Sequence, residues 1–373
     1  MEQQKCNVTA SNLNNLTLDR SDRLFFLDFL KALSIFVVVS FHAVFVPVST
    51  YADSWVLLET VFAPFKFCVP VLLTISFFLL EKSISYRRDR SVISLIKKRL
   101  VRLAIPTLFW FSLMAVLQTI QGDFNSWLEI VETMLAGKIF TGSYFLVALF
   151  ELLPLFILIR TWSESKVGVV VAVTLQSLFF LVIHVALSKN ILISFIDILR
   201  VIGLPLFLYW FVYLVLGAFI YRNLDKFVRF SQTLPSIIKF WVLSLSGLLL
   251  CSEYYRLIKV SNRLVPPFDY ALVSCIISAV VLFCCFISLE ESQFHPGIVK
   301  AIKILSKYSL GIFCINGIIS RLFLLLGSQL LADLRFNFLE ILVIKLIGWM
   351  FLLGISLGLA ILLKRIGLKQ MVC

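Results

Sequence analysis

Long apolar runs recur through the whole chain, and they restrict its fold more than any other feature of the sequence. A helix needs about 20 mostly apolar residues to cross a bilayer, and about ten runs fit that requirement. We therefore expect an all-α, polytopic integral membrane protein with about ten transmembrane helices. The segment 191–201 is either an interfacial helix or an extension of the sixth span broken near Pro205. The predicted spans are 24–46, 56–80, 104–121, 144–162, 167–187, 202–221, 239–254, 268–289, 308–327 and 340–363.

The composition agrees with a membrane protein and argues against two other classes. The chain is 60% hydrophobic and 15% charged, whereas a soluble domain is about half apolar and about a quarter charged. The net charge of +13 would suit a nucleic-acid-binding protein, but the basic residues lie between the apolar runs. Membrane topology explains that placement better, so we expect no nucleic-acid partner.

The distribution of Lys and Arg predicts the orientation. Most of the 34 basic residues lie in the alternate segments that share a side with the N-terminus, and the positive-inside rule places that side and both termini in the cytoplasm. Residues 1–22 are then a polar cytoplasmic tail. They do not resemble a secretory signal, because the first apolar run is long and lacks a small-residue cleavage pattern. Residues 23–366 form one membrane domain, and residues 367–373 form a short cytoplasmic tail.

The first apolar run carries three ionisable side chains, Asp28, Lys31 and His42. Such groups cost about 2.5 to 3.5 kcal/mol each inside a span, which makes them candidates for function. At about 100° per residue, His42 lies about 20° and Asp28 about 60° from Lys31 around the helix. One stripe therefore presents a charged pair and, about 16 Å further along, an imidazole.

Each of these side chains also has a purely structural explanation. His42 can be a core histidine bonded to a neighbouring helix. Lys31 can snorkel to the membrane surface, with Asp28 only as its salt-bridge partner. The shared stripe favours function, with His42 as a base or proton carrier.

Other charges give weaker signals. Arg99 and Arg102 are three residues apart and project from one side of a helix, where two guanidiniums suit phosphate oxygens. Spacing alone favours a topological role over phosphate binding, because membrane topology and anionic lipids both select basic clusters before a span. Glu151 lies deep in its span, and Asp197 and Arg200 are expected to pair with each other.

The eight cysteines show neither paired-loop nor metal-ligand spacing. Several fall inside apolar runs, where cysteine behaves as a small buried hydrophobe. We expect no disulfides and no metal.

Six segments, in order, resemble acyltransferase family 3 membrane proteins. The family's first helix has a basic residue, then ten residues, then a histidine; Lys31 and His42 match that spacing, with Lys where Arg is commoner. Arg99, Arg102 and Pro106 match its Arg-x-x-Arg and the proline that follows. The segments are LDFLKALSIFVVVSFHA, VPVLLTISFFLL, KKRLVRLAIP, SYFLVALFELLPLF, WFVYLVLGAFI and YSLGIFCING.

The chain departs from the family pattern at a few positions. Phe77 replaces a glycine, Tyr144 a tryptophan, and Asn316 the usual histidine of the late motif. The usual Glu-x-Pro ending is absent. The likeness nevertheless runs from about 24 to 365.

The resemblance implies a function and a location. Members transfer an acyl group, usually acetyl, from cytoplasmic acyl-CoA to a hydroxyl on the other side of the bacterial inner membrane. Typical acceptors are sugars of lipopolysaccharide, exopolysaccharide or peptidoglycan. The resemblance therefore implies acyl-CoA as donor, an extracytoplasmic glycan as acceptor and no metal.

The residues permit a mechanism that fits this resemblance. Arg99 and Arg102 hold the CoA phosphates, Lys31 lines the entrance and pairs with Asp28, and the thioester reaches His42. The imidazole acts either as general base on the acceptor hydroxyl or as an acyl-histidine relay. Candidates on the acceptor side or in the polar lining are Glu151, Asp197, Arg200 and Asn316.

Two other functions remain open. A transporter or flippase for a lipid-linked sugar or metabolite also needs charge inside the membrane, although no inverted repeat is visible. An inactive relative that serves as a scaffold is a third possibility, which the departures at Phe77 and Asn316 favour. The retained Lys31 and His42 argue against it.

Overall fold

The computed structural model describes residues 24–87 and 91–373, which fold as helices without a strand. The predicted polar tail, residues 1–22, lies outside these ranges. The α-helices are α1 (Phe25–Phe41), α2 (Trp55–Phe62), α3 (Cys68–Tyr86), α4 (Val92–Gln121), α5 (Trp127–Leu135), α6 (Tyr144–Ile159), α7 (Lys166–Lys189), α8 (Ile193–Ile202), α9 (Phe211–Arg222), α10 (Leu224–Thr233), α11 (Ser236–Val260), α12 (Val273–Phe286), α13 (Pro296–Lys307), α14 (Ser309–Leu330), α15 (Phe338–Arg365) and α16 (Lys369–Val372).

Seven helical segments of the described chain are long and apolar enough to cross a membrane. Two further apolar helices, α9 and α12, are shorter, and α1 has 17 residues. Every predicted span overlaps one of the helices, so the all-α membrane architecture is confirmed. The number of crossings and the orientation of the termini stay predictions. The seven segments are Trp55–Tyr86, Val92–Gln121, Tyr144–Glu164, Lys166–Lys189, Ser236–Val260, Ser309–Leu330 and Phe338–Arg365.

Two predicted segments differ in detail from continuous helices. The second span, 56–80, is interrupted by a 3₁₀ turn, Ala63–Phe67, with Pro64 near its start. Proline lacks a backbone donor, so the chain changes helix type there. The segment 191–201 forms a separate helix, α8. This helix ends at Ile202, and Gly203 after it has a positive φ of +77°.

Helix α1 lies inside the bundle and packs against α3, α13, α14 and α15. Its apolar side chains are mostly buried, and the indole Nε1 of Trp349 on α15 donates to the Phe36 carbonyl at 2.7 Å. The predicted tail 367–373 contains α16, which folds back against α4, α14 and α15. Val372 is buried there, and Trp110 Nε1 donates to the Met371 carbonyl at 2.9 Å.

One buried carboxylate joins three parts of the bundle. Glu81 of α3 is only 1% exposed and accepts from Arg160 through both of its oxygens, at 2.8 and 2.9 Å. Arg222 at the end of α9 donates to the same carboxylate at 2.9 Å. Two charge-assisted partners compensate for its desolvation and fix α3, α6 and α9 relative to one another.

Replacing Glu81 tests this anchor. We expect Glu81→Gln to lower the free energy of unfolding by about 2 to 3 kcal/mol. The loss of a fully buried ion pair would cost more, but both arginines are partly exposed and solvent screens their charge. The measurement is thermal or denaturant unfolding in detergent. Glu164→Gln is the matched control, since Glu164 is exposed and lies 3.4 Å from Arg222. Equal effects of the two substitutions would contradict the anchor.

Candidate active site

His42 lies at the point where α1 ends. It caps the helix, and its backbone N–H donates to the Val39 carbonyl. The imidazole is half-buried, and its Nδ1 atom is buried without a hydrogen-bonding partner among the described residues. Gly142, with φ +92°, makes room beside the ring, because a Cβ there would lie 3.5 Å from His42 Cε1. An L side chain would be strained at this φ as well.

Asn316 of α14 is a polar neighbour of the His42 ring. Its amide nitrogen donates to the carbonyls of Ile312, at 2.8 Å, and Phe313, at 2.9 Å. Both N–H groups are thereby used, which fixes the orientation of the amide. Its buried Oδ1 atom has no partner among the described residues. The two side chains that lie together thus each carry an unsatisfied buried atom, a nitrogen on His42 and an oxygen on Asn316.

A cavity of about 200 Å³ lies on the Lys31 side of this histidine. Lys31 and Arg99 supply its charge, and the Arg99 guanidinium donates to the Ser76 carbonyl at 2.9 Å. Phe313 closes the end nearest His42, because its Cζ atom would be 3.1 Å from a Cβ on Gly142. The remaining lining residues are Ile35, Leu72, Ile75, Ser76, Leu79, Phe145, Leu149, Ser309 and Leu310.

The other two residues predicted with this group lie at its edge. Arg102 is exposed and does not line the cavity, although it is within electrostatic range of Arg99. Asp28 is buried and accepts a hydrogen bond from Ser306 of α13 at 2.6 Å. Lys31 and Arg99, far apart in the sequence, therefore line one cavity, while His42 and Asn316 lie outside its lining, next to Phe313.

Comparison with known proteins identifies the family of the chain. A family model described as an acyltransferase domain matches residues 24–365. The chain belongs to acyltransferase family 3. Neither the curated proteins nor the solved structures gave a significant match. Family membership and the apolar helices together make this a multi-pass membrane acyltransferase.

Three residues predicted for the acceptor side lie elsewhere. Asp197 and Arg200 form the expected ion pair, at 3.3 Å, on the exposed surface of α8. Glu151 is exposed and accepts from the backbone N–H of Phe207 at 3.2 Å. The contacts described for these three do not join them to His42. In the described chain, no group of three or more His, Cys, Asp or Glu residues is arranged to hold a metal ion.

Sequence reasoning missed a charged cluster on the other side of His42. Glu59, Lys66, Asp269 and Lys345 meet there, and Tyr254 bonds to both carboxylates. Lys66 and Lys345 both lie within electrostatic range of His42 in this acyltransferase. A lysine inside an apolar run was the available signal, but no spacing in the sequence connects these residues.

Two glycines provide a test of the space beside His42. Gly142 and Gly122 both have positive φ, but a Cβ on Gly122 would meet nothing within 4 Å. Each Gly→Ala change should cost about 1 kcal/mol of backbone strain. Gly142→Ala should additionally displace Phe313 and lower acyl transfer at least tenfold. Unfolding in detergent and an acyl-transfer assay measure both effects, and equal activity of the two variants would contradict the tight packing.

Proposed function

We propose that this protein transfers an acyl group, acetyl in the first instance, from cytoplasmic acyl-CoA to a hydroxyl of an extracytoplasmic glycan. The observation that carries the proposal is the cavity lined by Lys31 and Arg99, because Phe313, which also lines it, lies beside Gly142 together with the partly buried His42 ring. Membership of an acyltransferase family supports the reaction type. The bacterial inner membrane is the location that this reaction requires, because acyl-CoA is made in the cytoplasm.

The size and charge of the cavity favour one arrangement of the donor. At about 200 Å³ it is smaller than the pockets of about 300 to 1,000 Å³ that enclose whole drug-sized ligands. It therefore accepts the pantetheine arm, while the nucleotide stays outside near the exposed Arg102. Arg99 and Lys31 supply positive charge at the mouth, where a phosphate of the donor would be neutralised.

His42 and Asn316 together supply the base. The unpartnered Asn316 oxygen is an acceptor, and a proton on His42 Nδ1 would let that nitrogen donate to it once the ring turns towards the amide. This tautomer leaves Nε2 unprotonated and able to accept a proton. A neutral amide in this position orients the imidazole in the way that an asparagine orients the histidine of papain-like proteases.

The transfer can then be written step by step. The acceptor hydroxyl gives its proton to His42 Nε2, and its oxygen attacks the thioester carbonyl. The new C–O bond forms, the C–S bond breaks, and the imidazolium returns the proton to the CoA thiolate. In the covalent variant, Nε2 attacks the thioester carbonyl and the C–S bond breaks to release the CoA thiolate; the acceptor hydroxyl then attacks the acyl-histidine, the N–C bond breaks, and the hydroxyl proton ends on the thiolate. Both variants need the same nitrogen free.

Replacing His42 tests the proposal. We expect His42→Ala to lower acetyl transfer about 10² to 10⁴-fold, the usual contribution of a positioned base. Acetyl-CoA should still raise the melting temperature of this variant, because ligand binding to the folded state stabilises it independently of turnover. His295→Ala is the matched control, since His295 is exposed and only caps α13. Near-normal turnover by His42→Ala would remove the histidine from the mechanism.

The wild-type protein also distinguishes the enzyme from a transporter. Acetyl-CoA should raise its melting temperature in detergent, whereas a lipid-linked-sugar transporter should not respond to it. Absence of any stabilisation at millimolar acetyl-CoA would therefore count against the donor site at Lys31 and Arg99.

The role of Asn316 has a separate test. Asn316→Ala should lower kcat for acetyl transfer about 10 to 100-fold and leave KM for acetyl-CoA unchanged, because the residue orients the base without touching the donor. Asn316→Asp should recover part of kcat, since it restores an acceptor oxygen beside the ring. Ser320→Ala is the control, because the Ser320 hydroxyl bonds only to its own helix at Gly317. Equal activity of the alanine variants would contradict the positioning role.

A further inference from the structure

Four charged side chains form a cluster beyond His42, at the end of α1 away from Lys31. They are Glu59 of α2, Lys66 of the following 3₁₀ turn, Asp269 of the loop before α12, and Lys345 of α15. Lys66 Nζ lies 3.2 Å from Asp269 Oδ1, and Lys345 Nζ lies 4.0 Å from Glu59 Oε1. Two carboxylates balance two ammonium groups, so the cluster adds no net charge to this region.

The two kinds of charge differ in access. The side chains of Lys66 and Lys345 are only 7% and 1% exposed. The side chains of Glu59 and Asp269 are 22% and 18% exposed. Lys66 is further enclosed by aromatic rings, with its ammonium 4.8 Å from the Phe41 ring centroid. The lysines are therefore fixed supports, and the carboxylate oxygens are the atoms that an incoming molecule would meet.

These carboxylates also have hydrogen-bonding capacity to spare. The Glu59 contacts are long, at 4.0 Å to Lys345 and 3.5 Å to the Tyr254 hydroxyl, whereas charge-assisted bonds usually measure about 2.7 to 2.9 Å. Asp269 binds Lys66 and Tyr254 through Oδ1 in both cases, which leaves Oδ2 for a ligand. Carboxylate oxygens in this state accept hydrogen bonds from hydroxyl groups.

We propose that this cluster is the acceptor site, and that Glu59 and Asp269 bind the hydroxyls of a neutral, polyhydroxylated acceptor such as a sugar. The inference rests on the proposed function and names the substrate class of its outer side. An acidic acceptor is disfavoured because its anion would meet the two carboxylates before it reached either lysine. The Lys66 ammonium lies over the rings of Phe41 and Tyr254, so the carboxylate oxygens rather than these aromatic faces carry the recognition.

The location of the cluster fits the transfer that we propose. Lys66 and Lys345 lie within electrostatic range of His42, and Lys66 packs on Phe41, the residue before it. A hydroxyl held by Glu59 or Asp269 thus approaches the imidazole from the side opposite to the Lys31 cavity. Donor and acceptor then meet at His42 without sharing a channel.

The test uses the purified full-length protein in detergent, with acetyl-CoA as donor and two small probes as acceptors. Methyl β-glucoside is the neutral probe, and its glucuronic acid counterpart is the acidic probe of the same size. We expect the neutral probe to be acetylated at least tenfold faster at equal concentration. We expect Glu59→Gln to raise KM for the neutral probe at least tenfold, with KM for acetyl-CoA unchanged. Asp53→Asn is the matched control, since Asp53 is an exposed carboxylate six residues earlier in the chain.

The stabilisation by acetyl-CoA separates the possible failures. Three results would contradict the acceptor site and leave the donor site intact. Glu59→Gln could keep both the stabilisation and the wild-type KM for the glucoside. The wild-type protein could prefer the acidic probe, or it could acetylate no glucoside. If Glu59→Gln loses the stabilisation, Glu59 is structural, which also overturns the inference. If the wild-type protein itself shows no stabilisation, the proposed function fails first.

Discussion

A charge placed within a bilayer must find a partner, and this requirement organises the bundle. Glu81 receives two arginines and holds three helical segments together. Lys66 pairs with the Asp269 carboxylate and packs against aromatic rings. Asp28 accepts a hydrogen bond from the Ser306 hydroxyl of α13. Desolvation makes each unpaired charge costly, so every pairing also specifies which helices become neighbours. By contrast, His42 Nδ1 and Asn316 Oδ1 are among the buried polar atoms of the described chain that have no hydrogen-bonding partner.

Much of the architecture follows from apolar length alone. Runs of sufficient length predict helices wherever they occur, and every predicted span overlaps one. The interruption at Ala63–Phe67 was less visible, because Pro64 is a local signal inside a run that is otherwise apolar enough to span. A separate helix α8, bounded by positive φ at Leu192 and Gly203, is compatible with both alternatives for 191–201, an interfacial helix and an extension of the sixth span broken near Pro205. The number of crossings is harder to predict, since α9 and α12 are short for a full span.

The site was only partly predictable, for a physical reason. Spacing on one helix places Lys31 and His42 on a common side, but it says nothing about which distant helix faces them. Packing of α4 brings Arg99 to the cavity, and packing of α14 brings Asn316 to His42. The spacing of Arg99 and Arg102 alone favoured a topological role, and only the family resemblance singled out Asn316. Glu59 lies in the short helix α2 and Asp269 in the loop before α12. Carboxylates are common at such positions, so the sequence context of these two residues does not mark them. Conversely, Asp197 and Arg200 satisfied each other at the surface, as their spacing predicts.

The folded-back helix α16 has a practical consequence for handling the protein. Val372 is buried and the Met371 carbonyl accepts from Trp110, so the chain terminates against α4 and α14. The last residue, Cys373, is exposed. An affinity tag fused directly after it would begin within two residues of a packed contact and would disturb the packing of α16 against α4, α14 and α15. Purification handles and fluorescent reporters therefore belong at the opposite terminus.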